Sequence, residues 1–125
     1  MNDFFMRKTI NTPEVELLPS KGILKLEGRS IPEDPGDFYN SVISKLEEYY
    51  QIPNDITQID IRLEYVNSGS SKALLELLRL VKENYDNGKK CIVNWYFEED
   101  DESILELGQH FKNTIKIPFN LVDFY

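Results

Sequence analysis

The sequence contains only one cysteine, one histidine and one tryptophan among its 125 residues. With Cys91 as the single thiol, the chain can form neither an internal disulfide framework nor a cysteine-based metal site. Cys91 lies in an apolar run, which predicts a buried free thiol and a reducing, cytoplasmic location. Residues 1–12 are too polar for a signal peptide, and no later run is long enough to span a membrane, so no membrane association is expected.

Basic residues are also scarce, since 14 Lys and Arg face 22 Asp and Glu and leave a net charge of −8. Such a chain repels nucleic acid and anionic lipid, and no local basic patch offsets the repulsion. A glycine-rich phosphate loop with its lysine is missing as well, so nucleotide hydrolysis and a bound cofactor are not expected. The apolar fraction of 41% suits one layered core, which predicts a single domain over residues 1–125.

Alternating and helical periodicities predict strands and helices in a regular order along the chain. The first half of the chain is predicted to form strands 14–18 and 22–28 joined as a hairpin, a proline-containing loop 29–36, a helix capped by Asp37 with Tyr39 and Val42 among its apolar positions, and a strand 56–65 whose inward face carries Ile59, Ile61, Leu63 and Tyr65. The second half is predicted to form a serine-rich turn, a helix ending near residues 84–88, a strand 90–97 covered on both faces, a third helix, a strand 114–117 and an irregular aromatic tail.

This order of elements predicts an α/β fold with a mixed, mostly parallel sheet, an N-terminal β-hairpin and helices packed on the sheet. In such folds, sites form beyond the carboxyl ends of parallel strands. The serine-rich turn at residues 67–72 and the acidic run at residues 98–102 both follow predicted strands. We therefore expect the two segments at the same edge of the sheet.

The turn at residues 67–72 joins the most regular strand pattern to the most regular helix pattern. Asn, Ser and Gly cap helices or tolerate positive φ, and the first N–H groups of a helix have no partner within the helix. A phosphoryl group on a hydroxyl at this turn would be stabilised there. The residues alone favour plain capping over this chemistry, because Ser and Asn are the ordinary caps.

The acidic run at residues 98–102 admits three interpretations. Clustered carboxylates suit Mg²⁺ or Ca²⁺, but five consecutive acids lack the glycine and the alternating ligands of a Ca²⁺ loop, so no metal site is predicted. Capping of the third helix by Asp100 or Asp101 is favoured, with the other acids in solvent. A surface for a basic partner is the third interpretation. The preceding aromatic residues are expected partly in the core, and one at the strand end could anchor an interface.

An enzyme is the alternative from another class. Ser68 on a strand-to-helix turn could act as a nucleophile, with His110 as the only imidazole available as its base. The surrounding glycine pattern does not match that of a nucleophile elbow, and no oxyanion motif appears. The sequence therefore does not favour a serine hydrolase, and no catalytic residue is predicted.

Three separate blocks, at residues 26–35, 63–72 and 94–101, together resemble the bacterial SiaC-type biofilm-regulation phosphoproteins. The resemblance spans nearly the whole chain. It implies a STAS-like architecture, similar to that of anti-sigma-factor antagonists, and a regulatory protein without catalysis of its own. It also implies partner switching, in which a kinase of the anti-sigma-factor-like type phosphorylates the turn and a PP2C-like phosphatase reverses the reaction. The unphosphorylated form would bind and activate a GGDEF diguanylate cyclase and so raise cyclic di-GMP.

The resemblance assigns roles to the residues of the turn. Asn67 matches the family asparagine, Ser68 stands where the family has its phosphorylated threonine, and Lys72 matches a basic position after the turn. Gly69 departs from the family's serine. Ser70 and Ser71 are the fallback acceptors, with capping as their expected role, and both belong to the expected partner-binding turn. A further alternative is an adaptor that keeps the fold without the regulation and docks through the helix beside Ser68.

Overall fold

The computed structural model of the chain describes residues 1–124. Within them lie six strands and three helices, which we number in chain order. The elements are β1 Phe4–Met6, β2 Glu14–Leu18, β3 Ile23–Ser30, α1 Pro35–Tyr49, β4 Ile56–Val66, α2 Ser68–Asp86, β5 Lys90–Glu98, α3 Glu102–Ile115 and β6 Phe119–Phe124.

The strands form one sheet in the order in which they occur along the chain, β1-β2-β3-β4-β5-β6. β1 pairs antiparallel with β2 and β2 with β3, whereas β3, β4, β5 and β6 pair parallel. The α/β class, the mostly parallel sheet and the β2–β3 hairpin are therefore confirmed. β1 was not predicted, because three residues are too few for a two-residue period to be recognised.

All three helices cover the same face of the sheet. Each parallel strand is added on the same side of the one before, so right-handed crossovers carry every helix over one face. The side chains beneath the helices are apolar and buried, and they align across the strands. They include the register rows Leu24, Ile59, Val93 and Phe119, and Leu26, Ile61 and Trp95.

Within residues 1–124, no helix covers the other face of the sheet, which corrects the prediction that β5 is covered on both faces. Asn94 on this face is half-buried and donates to the Asp60 carboxylate over 2.9 Å. Asn120 of β6 donates to Asn94 over 3.1 Å. β5 is interior in the sense that it is hydrogen-bonded to a strand on each side. Its nearly continuous apolar run does not indicate that one of its two faces lacks a covering helix.

α1 begins earlier than predicted. Asp34, and not Asp37, is the cap, because the Asp34 Oδ1 accepts a hydrogen bond from the Asp37 amide over 3.0 Å. Pro35 then occupies the start of the helix, where its fixed φ suits the first turn and its missing N–H leaves no bond unmade. Of the two prolines that predicted a loop, Pro35 therefore lies inside a helix, while Pro32 remains in the connection before it.

The C-terminal prediction is wrong in its last two elements. Residues 114–117, predicted as a strand, contain the end of α3 and Lys116, which ends the helix in the left-handed region at φ 59°. The final strand is β6, at residues where an irregular tail was predicted. Ile115 follows Phe111 by four positions and shares its buried helix face, so the short apolar alternation was misleading. Tyr125, in the predicted tail, lies outside the described residues.

Trp95 is the largest fully buried side chain and ties β5 to α3. Its Nε1 donates to the carbonyl of Ile104 over 2.9 Å, and Phe111 meets the ring edge-on at a centroid distance of 5.4 Å. A Cβ added at Gly108 would lie 2.4 Å from the indole Cδ1, so only glycine allows this approach. Tyr96 and Phe97 are half-buried. In residues 1–124, the helices are all too short or too polar to serve as membrane spans.

Candidate phosphorylation site

The end of β4 leaves the buried part of the sheet before α2 begins. Leu63 is buried, but Tyr65 is 54% exposed, with the Arg29 guanidinium 4.8 Å from the centre of its ring. The prediction that Tyr65 points inward is therefore wrong. The β3–β4 register shifts between Gly28 and Ser30, so the two-residue alternation does not continue to the end of the strand.

Asn67 fixes the start of α2. Its Oδ1 accepts from the Ser70 amide over 2.8 Å, and its Nδ2 donates to the carbonyl of Pro32 over 3.2 Å. Its backbone N–H donates to the carbonyl of Ser30 over 3.0 Å. A polar side chain of the turn thus caps α2, as predicted for these residue types. The cap is Asn67, whereas Ser70 and Ser71, which were expected to cap, lie inside the first turn of the helix.

Ser68 is the first residue of α2 and is exposed. Among residues 1–124, nothing forms a hydrogen bond with its hydroxyl. No acidic residue lies in the first turn of α2, so the partial positive charge of the helix start is not compensated. Lys72, also exposed, is four positions later and therefore on the same helix face. No carboxylate of its own turn therefore opposes a negative charge added at Ser68.

Gly69 brings the starts of α1 and α2 together. It is exposed, yet a Cβ added to it would lie 2.8 Å from the Pro35 Cγ. The contact places the Pro35 ring beside the first turn of α2.

Ser70 differs from Ser68 in being fully buried. The Ser30 Oγ donates to the Ser70 Oγ over 2.9 Å and is also 2.6 Å from the Tyr39 Oη. Burial raises the pKa of Tyr39 to about 12, with the bond to Ser30 acting in the opposite direction. The phenol is therefore neutral at physiological pH. Ser71, one position on, is half-buried.

Nothing in the sequence pattern connects Ser30 and Tyr39 with this turn. Tyr39 was predicted as a core residue of α1 from its helical spacing, which the structure confirms. Ser30 follows a strand pattern and precedes a proline-containing loop, and nothing local marks its side chain as buried. The only available signal was a small polar residue at the end of an apolar strand.

The acidic run lies at the same edge of the sheet, as predicted, because it follows β5, the parallel neighbour of β4. Asp101 caps α3, with its Oδ1 accepting from the Ile104 amide over 3.1 Å. The other members of the run are exposed, namely Glu98, Glu99, Asp100 and Glu102. In the part of the chain that the structure describes, no three His, Cys, Asp or Glu side chains are arranged to hold a metal ion.

His110 does not form a nucleophile–base pair with Ser68. It is exposed in the third turn of α3, roughly 12 Å along the helix axis from Glu102 at a rise of about 1.5 Å per residue. No hydrogen bond joins the two side chains within residues 1–124. Hydrolase chemistry requires that contact, so the geometry gives it no support.

Three helices on one face of a mostly parallel sheet, with a free hydroxyl where a central strand passes into a helix, define an α/β regulatory domain of the STAS-like type. The chain belongs to the SiaC family of regulatory phosphoproteins, whose family model matches residues 6–124. The family identified from the three sequence blocks is thus confirmed. A related protein of Pseudomonas aeruginosa (strain UCBPP-PA14), itself uncharacterized, is 28% identical over 119 residues, which make up 95% of this chain and 94% of the relative.

Solved structures of SiaC from Pseudomonas aeruginosa share the fold over nearly the whole chain. One SiaC structure has a TM-score of 0.92 and 26% identity, covering 99% of this chain and 100% of that one. The apo-SiaC structure gives 0.89 and 27%, covering 98% and 99%. The structure of the diguanylate cyclase SiaD in complex with its activator SiaC gives 0.91 and 26%, covering 98% and 100%.

Proposed function

We propose that this chain is a non-enzymatic regulator that binds and activates a diguanylate cyclase while unphosphorylated and is switched off by phosphorylation of Ser68. The observation that carries the proposal is an exposed, unbonded hydroxyl at the neutral start of α2 in a member of a phosphoprotein family. A similar fold in SiaC acts as the activator of the cyclase SiaD, which supports the choice of partner.

Ser68 is the best acceptor of the turn on physical grounds. A phosphoryl donor must reach the attacking oxygen from solvent, and Ser68 is exposed whereas Ser70 is fully buried. Ser71 is half-buried and lies further into the helix. Asn67 supplies the cap, Gly69 the close approach to α1, and Lys72 a positive charge on the same helix face as the phosphate.

Phosphorylation switches binding without unfolding the chain. A phosphoserine carries about −1.5 to −2 charges at neutral pH. The free N–H groups of α2 and the neighbouring Lys72 stabilise that charge in the free protein. In a complex, the same charge must be desolvated against the partner's surface, and each ~1.4 kcal/mol of differential binding changes occupancy about tenfold. A binding penalty of a few times this free energy is enough to release the partner.

The wider circuit follows from the family's class. We propose an anti-sigma-factor-like kinase and a PP2C-like phosphatase as the enzymes that add and remove the phosphate. Both the kinase and the cyclase use nucleoside triphosphates, which supports a cytoplasmic location. We also propose that residues 1–125 act as a single domain, since all strands of the described residues share one sheet.

The test compares Ser68 with Ser103, an exposed serine in the first turn of α3. Ser68→Ala should abolish phosphate incorporation in the organism's own cells and keep the cyclase active, whereas Ser68→Asp should weaken cyclase binding. The matched Ser103→Ala and Ser103→Asp variants should behave like the wild type. Phosphopeptide mass spectrometry and cyclic di-GMP formation by the organism's GGDEF cyclase are the measurements.

Equal cyclase affinity of Ser68→Ala and Ser68→Asp would contradict the switch. A wild-type chain that activates the cyclase but never carries phosphate would instead be an unregulated adaptor. Hydrolysis of a generic ester that is lost on His110→Ala would revive the enzyme alternative.

A further inference from the structure

The serine-rich turn contains three serine hydroxyls within four positions, and these serines differ strongly in solvent exposure. Ser68 and Ser70 are separated only by Gly69, but the Ser70 side chain has no solvent exposure while Ser68 is exposed. Ser68 and Ser70 are two positions apart, so helix geometry directs them to different faces, and Ser70 shares the buried face of α2 with Leu74 and Leu77. What holds the Ser70 hydroxyl on that face lies beneath the turn.

Beneath the turn lies a chain of three buried hydroxyls, from Tyr39 through Ser30 to Ser70. The Ser30 Oγ donates its only proton to the Ser70 Oγ over 2.9 Å. The bond of 2.6 Å between Ser30 and Tyr39 must then be donated by the Tyr39 phenol. All three residues are fully buried, so this chain links the second turn of α1, the end of β3 and the first turn of α2 with one direction of donation.

We propose that the buried hydroxyl chain of Tyr39, Ser30 and Ser70 selects Ser68 as the acceptor by holding Ser70 inside the core. This inference rests on the proposed phosphorylation of the turn. Turning the Ser70 hydroxyl outward breaks its bond from Ser30 and leaves a buried donor without a partner, which is unfavourable. Ser68 has no such bond to break. The same contact keeps the first turn of α2 seated, so Ser68 is presented at a constant position.

The chain contains a matched control at the other end of α1. Tyr49 is also buried and its Oη lies 2.9 Å from the Oγ1 of Thr57, another buried hydroxyl. The Tyr49 Oη also accepts from the Asn54 amide over 3.0 Å. Thr57 is near the start of β4, at the opposite edge of the sheet from α2's first turn. Thr57→Ala therefore removes a comparable buried hydroxyl bond far from Ser68.

The test measures where phosphate goes when the preferred hydroxyl is removed. In the organism's own cells, Ser68→Ala should carry no phosphate in the turn. Adding Ser30→Ala should free Ser70 and place phosphate on it, whereas adding Thr57→Ala should not. Loss of a buried hydrogen bond shifts an opening equilibrium about fivefold, so Ser70 occupancy should exceed that of the Thr57→Ala control by at least that factor. Mass spectrometry of the turn peptide gives the occupancies.

Tyr39→Phe provides a milder variant that keeps the ring in the core. Hydrogen exchange of the α2 first-turn amides should become about fivefold faster in Tyr39→Phe, while Tyr49→Phe should leave those amides unchanged at equal global stability. This measurement needs no kinase.

The outcomes separate this inference from the proposed function. A wild-type chain without phosphate on Ser68 would overturn the proposed function itself. Phosphate on Ser70 in Ser68→Ala alone, or equal behaviour of the Ser30→Ala and Thr57→Ala backgrounds, would overturn the selection by the hydroxyl chain and leave Ser68 as the acceptor.

Discussion

The starts of α2 and α3 are built alike but differ in charge. Both follow neighbouring parallel strands, both lie at the same edge of the sheet, and each is capped by a side-chain oxygen. At α3 the cap is Asp101 and Glu102 follows it, so carboxylates already compensate the positive helix end. At α2 the cap is the neutral Asn67 and the first turn holds no acid. A helix start without carboxylates keeps its capacity for an added anion.

The largest expected difference between the two helices concerns their glycines. Gly108→Ala should lower the free energy of unfolding by about 3 kcal/mol, because its Cβ would overlap the Trp95 ring in a packed core. Gly69→Ala should stay within about 1 kcal/mol of the wild type, since the gain in helix propensity opposes a tighter contact with the Pro35 ring. Urea unfolding measures both variants.

Equal losses of unfolding free energy in Gly108→Ala and Gly69→Ala would contradict this difference between the two helices. They would mean that the contact between α1 and α2 is as rigid as the contact of α3 with the Trp95 ring.

The caps should differ by less. Asn67→Ala should cost about 2 kcal/mol, since it removes the bond to the Ser70 amide and also the bond to the Pro32 carbonyl. Asp101→Ala should cost about 1 kcal/mol, because it removes the bond to the Ile104 amide alone. Thermal unfolding of the two variants under one buffer condition measures the difference. A larger loss for Asp101→Ala would show that charge, and not the number of bonds, determines the strength of these caps.

The smallest effect concerns the added charge itself. Ser68→Asp should raise stability by about 0.5 kcal/mol, because it places a carboxylate in a first turn that has none and four positions before Lys72. Ser103→Asp should give no gain, since it adds a carboxylate beside the acidic run. The gain at Ser68 should shrink in high salt. Equal gains at the two positions would remove the electrostatic distinction between the helix starts.

Local patterns in the sequence were sufficient for most of the fold and for the identity of the turn. Helical spacing placed Tyr39 and Val42 of α1 in the core, and the strand pattern placed Ile59 and Ile61 there. Ordinary cap preferences limited the α3 cap to Asp100 or Asp101, and the structure shows that it is Asp101. The predictions failed where the sequence pattern was very short or was compatible with both a strand and a helix. β1 has three residues, and the alternation around Ile115 suits a strand as well as a helix end.

The open face of the sheet could not be predicted from the apolar run of β5. Such a run is typical of a strand covered on both faces, but coverage depends on the direction in which successive strands are added. Here they are added on one side only, so the three helices share a face. That is a property of the topology and not of any one strand.

The sequence by itself determined most of the helices and strands, the neutral start of α2 and the acidic start of α3, and the resemblance of the chain to a phosphoprotein family. These properties depend on residue type and on spacing within a few positions. Helical spacing also puts Ser70 on the apolar face of α2 with Leu74 and Leu77. Only the tertiary structure decided that the Ser70 hydroxyl is bonded to another buried hydroxyl there. Its partner Ser30 lies 40 positions away, and a contact between such distant residues exists only after the sheet and helices have packed.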